Sequence, residues 1–378
     1  MLDGRNLVVD TFSEVYSILQ PWVTHDFWDF GSHDVVDNSI YVIGRKQFVD
    51  HRDKILSMLD RKDLVVFFDN AAEGSWTLVN QLRSMELLQL ALDKKLLLIG
   101  GGNIENCYAH VQFDHFLVSI LKYEENIHAM QSIDKIFNKT DKPYQFLFLN
   151  GRARPHRKYL YERFKEAGVL EKSLWTMLDG RPIFGKDFKL ERNGSNAMAT
   201  TSTLRRLPKE YEFSFYRDTI ADVESSERAF IKHQMFNNEW GEIYLEPSPY
   251  IDTYFSLVTE TVFEYPYSFR TEKIAKPLAI GHPFIVAANR GFYRDLHNLG
   301  FQTFNHVIDE SFDQIDNHQD RMDRIFDIVA DLSKQNLQSF LNECYNVCKY
   351  NQQHLVNLAP RLQDQFPEQF FNLIKKYG

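Results

Sequence analysis

The chain of 378 residues is long enough for two domains that each bury a core, and 44% hydrophobic with 25% charged residues is the composition of an ordinary globular protein. Its 43 basic and 52 acidic side chains leave a net charge of −9, which argues against broad nonspecific binding to nucleic acid, and no apolar run reaches the length of a membrane span. Three cysteines are too few for a disulfide framework and the N-terminus has no basic head before an apolar run, so a cytoplasmic protein without a signal peptide is expected.

Leu7-Val8-Val9 and residues 39–43 read as short strands, residues 47–59 have helical spacing, and residues 64–68 form an apolar run suited to a buried strand. Residues 76–92 then read as a helix and residues 95–99 as a strand, stopping at Gly100-Gly101-Gly102. Such alternation predicts parallel βαβ units, because parallel strands need a crossover. The polar residues 138–143 read as a linker to a second α/β unit, which opens with a strand at 144–149. Pro155 suits a first helical turn, residues 159–167 continue the helix, and Gly168 ends it. Residues 180–250 hold a polar loop and a Thr/Ser-rich run with no repeat. The α/β pattern returns at Phe255, and R-T-E-K (270–273) opens an amphipathic helix. Gly281-His282-Pro283 then leads into an apolar strand. Beyond Phe304 the spacing is helical, over 319–333, 337–355 and 360–376.

Three constellations carry chemistry. At R-T-E-K a helix N-terminus welcomes an anion, and Glu272 can accept from ribose hydroxyls while Lys273 neutralises phosphate. At N-G-R-A-R-P-H-R (150–157) a strand ending in Gly before a helix opening with Pro is a phosphate cradle, with Arg152, Arg154 and Arg157 adding charge. Asp69 and Glu73 follow the strand at 64–68, where either can serve as a general base; His51, His110 and His115 are weaker candidates. Cys344 and Cys348, four apart, read as reduced thiols on one helix face. There is no Asp-x-Asp, so arginine and lysine rather than a metal are expected to neutralise a leaving diphosphate. Fingerprints of P-loop enzymes, nicotinamide enzymes, serine hydrolases and zincins are absent; residues 180–186 approach the first, but Asp187 replaces its hydroxyl.

F-S-L-V-T-E-T (255–261), T-E-K-I (271–274) and G-H-P-F-I (281–285) resemble the donor-binding half of GT-B glycosyltransferases. The likeness is to the fucosyltransferase-like group and to glycosyltransferases of large phages and viruses; it covers residues 142–310. It implies an α/β fold of two Rossmann-like domains facing a cleft, with C-terminal helices. Residues 1–140 would take the acceptor, 141–358 the nucleotide sugar, and the helix 359–378 would cross back onto the first domain. The implied activity is inverting, metal-independent sugar transfer from a nucleotide diphosphate to an acceptor hydroxyl, with no cofactor. Arg157, Arg154 or Arg152 would hold the phosphates, Glu260 would shape the donor pocket with Thr271, Glu272 and Lys273, and Asp69 or Glu73 would be the base. Thr261 stands where that group usually has Asn, and residues 262–269 form a longer aromatic insert, so the donor sugar stays open. The acceptor is a glycan, a lipid-linked sugar or a small molecule; a hydroxymethylated DNA base is the alternative, placing a viral protein in the host cytoplasm. Other readings are a nucleotide-sugar epimerase and a non-catalytic GT-B binding protein.

Overall fold

Two parallel sheets organise the computed structural model, which describes residues 2, 4–150, 154–177 and 245–378, the side chains of 176 and 177 excepted. The chain divides into two compact units. Unit 1 comprises Met1–Val118, Tyr265–Arg270 and Asn357–Gly378; unit 2 comprises Ser119–Glu264 and Thr271–Val356. The polar stretch 138–143 thus lies inside unit 2, and the chain passes between units inside R-T-E-K, after Arg270.

Unit 1 is built on β1 (Asn6–Asp10), β2 (His25–Phe27), β3 (Ser39–Gly44), β4 (Leu64–Gly74), β5 (Leu96–Gly101) and β6 (His110–Gln112), in the order β2-β1-β3-β4-β5-β6. The central strands are apolar along their length because both faces are covered. On one face Phe68 stacks on Phe48 at 4.1 Å; on the other Phe67 meets Phe370 at 4.6 Å. Phe370 belongs to the helix Leu337–Tyr377, which runs unbroken through Pro360 and Pro367, where the sequence spacing predicts two helices. Burial of Phe366, Phe370, Phe371 and Ile374 outweighs the ~3 kcal/mol that an interior proline costs.

The two helices expected in the first third are each divided. Residues 47–59 become Arg45–Asp50 and Arg52–Leu59, with His51 at φ −124° and ψ 36° between them. Residues 76–92 become Ser75–Ser84 and Leu88–Leu92, because Glu86 takes φ 59° and the Leu87 N–H returns 2.8 Å to the Leu82 carbonyl in a Schellman end. Gly100-Gly101-Gly102 also has a packing reason. A Cβ at Gly101 would stand 2.4 Å from the Ala71 carbonyl oxygen, and one at Gly102 (φ +66°) 2.2 Å from that of Ser268. These glycines let the segment Tyr265–Arg270 lie against the carboxyl ends of β4 and β5, where Asn103 N–H donates to Ser268 O at 2.7 Å.

Unit 2 holds β7 (Phe146–Asn150), β8 (Leu174–Met177), β9 (Phe255–Thr259) and β10 (Phe284–Ala287), in the order β10-β9-β7-β8. The helix α1 (Pro155–Glu166) follows β7, and α2 (Glu272–Ile280) lies between β9 and β10. His282 of the G-H-P turn is a staple: its Nε2–H donates to Thr253 O at 3.0 Å, and Nδ1 accepts from the Ser256 hydroxyl at 2.9 Å. Gly168 ends α1 at φ +69°, and a Cβ there would meet nothing within 4 Å. Gly168→Ala should therefore cost unit 2 about 1 kcal/mol through backbone strain alone, with Gly168→Asn costing less; urea midpoints of the two variants check this.

Candidate functional site

In unit 2 the carboxyl ends of β7 and β9 are tied together by side chains. The two strands pair only at Phe146↔Phe255 and Leu147↔Ser256; three residues further on, the Thr259 hydroxyl donates to Asn150 Oδ1 at 2.6 Å. The first turn of α1 then grips the end of β9. Arg157, 2% exposed, donates from Nη2 to Thr259 O at 2.8 Å, and His156 Nε2–H donates to Glu260 O at 3.0 Å. Burial, reinforced by the Arg157 charge, holds His156 down at about 3, so it is neutral. Its ring stacks on Phe263 at 4.9 Å, and the Arg321 guanidinium lies over Phe263 at 4.4 Å. Arg321 also donates to the carbonyls of Phe263 (2.7 Å) and Ile315 (2.7 Å).

From β9 a chain of hydrogen bonds runs to the start of α2. Glu260 is fully buried and accepts from Thr271 twice, from N–H at 3.1 Å and from the hydroxyl at 2.7 Å. Burial raises its carboxyl above the usual glutamate range. Having donated to Glu260, the Thr271 oxygen accepts from Lys273 N–H at 3.2 Å as the helix cap, and from Lys273 Nζ at 3.3 Å. Lys273 Nζ completes the chain at 2.5 Å from Glu272 Oε1. Burial pushes the Glu272 carboxyl up, but the Lys273 ammonium outweighs it and leaves Glu272 below the usual range. Both side chains keep some solvent access, 15% for Glu272 and 23% for Lys273.

The structure therefore brings Glu260, Thr271, Glu272 and Lys273 into direct contact and joins Arg157 to them through the Glu260 carbonyl. Arg154 is the residue before Pro155 at the start of α1 and is half-buried. Arg152 lies outside the described residues. Sequence reading missed Arg321, whose signal is an arginine four residues before Ile325 on the buried face of the helix His318–Leu332.

In unit 1 the strand order reverses between β1 and β3, the place where open α/β sheets bind ligands beyond their strand ends. Asp10 ends β1 and is fully buried, accepting from Phe12 N–H at 3.0 Å and Gly44 N–H at 3.1 Å. Burial, opposed by those N–H groups and reinforced by the Asp69 charge, lifts its carboxyl to about 6. Asp69 is 1% exposed and accepts from the Ser13 hydroxyl at 2.5 Å and Ala71 N–H at 3.0 Å; burial raises it as well. Glu73 has more solvent, 26%, and pairs with Arg45 at 2.8 Å. Asp69 and Glu73 do not lie in a loop after the strand, because β4 continues past a register shift to pair Gly74 with Gly101. Of the weaker candidates, His115 is buried with Nδ1 3.6 Å from Glu14, His110 Nδ1 lies 3.1 Å from Tyr108 O, and His51 packs on Phe30. Asp10 was legible only as an acid closing the apolar run Leu7-Val8-Val9.

Among the described residues no group of three or more His, Cys, Asp or Glu is placed to hold a metal ion, and no helix is long and apolar enough to cross a membrane. Cys344 and Cys348 are buried free thiols. No protein-family model, no curated protein and no solved structure matches the chain.

Proposed function

We propose that the chain is a nucleotide-sugar-dependent glycosyltransferase of GT-B architecture, inverting and metal-independent. The observation that carries this reading is the hydrogen-bonded run Glu260–Thr271–Lys273–Glu272, which sets a cation and a carboxylate, both partly open to solvent, at the N-terminus of α2 beside the end of β9. A nucleoside diphosphate needs that pairing, an ammonium with helix N–H groups for phosphate and a carboxylate for ribose hydroxyls. On this reading Glu260 and Arg157 position the site, since both are spent on protein partners, and Lys273 and Glu272 touch the donor. Arg154 and Arg152 supply further charge for the diphosphate. Glu73, the more accessible of the two acids at the end of β4, takes the proton of the acceptor hydroxyl, while Asp69 holds the Ser13 loop. The acceptor is a glycan, a lipid-linked sugar or a small molecule. A ligand that binds only the folded protein raises its apparent stability, so GDP, UDP, dTDP and CMP and their sugars are compared by thermal denaturation. One diphosphate nucleotide should stabilise the protein selectively, and Lys273→Ala should weaken its binding tenfold or more, about 1.4 kcal/mol. The absence of stabilisation by every nucleotide would refute the assignment.

A further inference from the structure

Unit 1 carries three large exposed aromatic side chains, and all three stand just past the carboxyl ends of its strands. Phe12 is 66% exposed and follows β1, Trp28 is 72% exposed and follows β2, and Trp76 is 45% exposed and follows β4. The strand order places Trp28 and Phe12 one spacing apart, and Trp76 two spacings beyond Phe12, or about 10 Å. The Thr11 N–H donates to Phe27 O at 2.9 Å, so the chains bearing Phe12 and Trp28 leave the sheet still paired.

Their backbones are fixed while their rings are bare. Phe12 N–H is held by the buried Asp10, and Trp28 O accepts from Gln47 Nε2 at 2.7 Å, with Gln47 itself only 6% exposed. An aromatic ring on a rigid frame stacks on a ligand at little further entropic cost. At the far end of the same edge, Phe269 and Ser268 already cover the β4 and β5 termini, within 3 Å of where side chains on Gly74, Gly101 and Gly102 would be. Phe12 and Trp28, at the ends of β1 and β2, stand on the side of the edge away from that cover, and Trp76 stands beside it.

We infer that this edge binds a neutral, hydroxyl-rich ring, the hexose of a glycan. Sugar rings present an apolar C–H face that lies on an aromatic ring and an equator of hydroxyls that needs donors and acceptors. Arg45 and Glu73, paired at 2.8 Å and both partly exposed, supply one of each between Phe12 and Trp76. The acids nearest the rings in sequence, Glu14, Asp26 and Asp29, outnumber the nearby Arg45 and Lys46 and so disfavour a polyanion such as a nucleic acid. Glycan binding by unit 1 stands independently of the donor site; only the identification of this ring as the acceptor rests on the glycosyltransferase reading.

The protein is applied to a printed array of neutral glycans, and the strongest hit is titrated by isothermal calorimetry against the wild type, Phe12→Ala, Trp28→Ala and Lys273→Ala. Saturable glycan binding whose affinity falls tenfold or more in Phe12→Ala and Trp28→Ala, but is unchanged in Lys273→Ala, is the expected result. Both aromatic side chains are exposed, so the variants should keep wild-type melting curves, which are recorded alongside. No glycan bound, or a glycan bound equally by all four proteins, overturns the inference. Binding of single-stranded oligonucleotide that is lost in the same two variants overturns it in favour of a nucleic-acid platform.

Discussion

Asp114→Ala is expected to cost unit 1 about 3–5 kcal/mol, a large part of the stability of an ordinary domain. Arg270 is 1% exposed, and among the described residues its charge is answered by one carboxylate, Asp114, itself 3% exposed, with Nε 2.8 Å from Oδ1. Asn103 Oδ1 adds a neutral contact at 3.2 Å, and Gln112 holds the other Asp114 oxygen at 3.2 Å. Removing the carboxylate leaves a guanidinium in the interior without a counter-charge, and that loss exceeds the net worth of the pair. The double variant Asp114→Leu/Arg270→Met removes both charges and should be more stable than Asp114→Ala alone. Urea denaturation of these variants tests this: an Asp114→Ala stability within about 1 kcal/mol of wild type would show that the pair does not hold the segment Tyr265–Arg270 in unit 1.

That ion pair also shows where the sequence could and could not be read. The parallel α/β architecture was legible because Leu7–Val9, residues 64–68, Leu96–Ile99, Phe255–Thr259 and Phe284–Ala287 are apolar runs of strand length separated by helical spacing. The start of α2 was legible too, since Thr followed by Glu and Lys is a cap with a charged first turn. Legibility failed where partners are distant in sequence. R-T-E-K reads as a single charged patch, yet Arg270 is claimed by Asp114 of unit 1 and Thr271 by Glu260 of unit 2. Arg157 looks like a phosphate ligand from its place in the first turn of α1, but the carbonyls that occupy it come from the end of β9, about a hundred residues later. A helix end was hidden where a charged residue rather than glycine took the left-handed position, as Glu86 does. Conversely Pro360 signalled a break that burial of the surrounding side chains overrode.

Unit 2 is expected to lose stability steeply below pH 4.5, and His282→Gln should remove about half of the histidine share of that slope. His156 and His282 are both buried and neutral, each held down at about 3 chiefly by burial, against 6.5 in the unfolded chain. Between those two pH values the unfolded state binds a proton that the folded state refuses, so each histidine removes about 1.4 kcal/mol of stability for every unit by which pH falls. Buried carboxyls act with the opposite sign. Burial raises Glu310 to about 7 and Glu260 above its ordinary value, so their folded forms take up protons first and gain stability as pH falls toward 4.5. The two effects oppose each other from about pH 6.5 to 4.5. Below that window the carboxyl gain is complete, while the histidines continue to lose about 2.7 kcal/mol per pH unit together until pH 3. Glu272, held below its ordinary value by Lys273, adds to the loss as it protonates. Glutamine at 282 retains a donor for the Thr253 carbonyl but does not titrate. Urea midpoints at about pH 7, 5, 4 and 3.5 should therefore show a gap between variant and wild type that is constant above the unfolded histidine value and shifts steadily in the variant's favour below it. A gap that stays the same at all four pH values would mean that His282 titrates alike in the folded and unfolded protein.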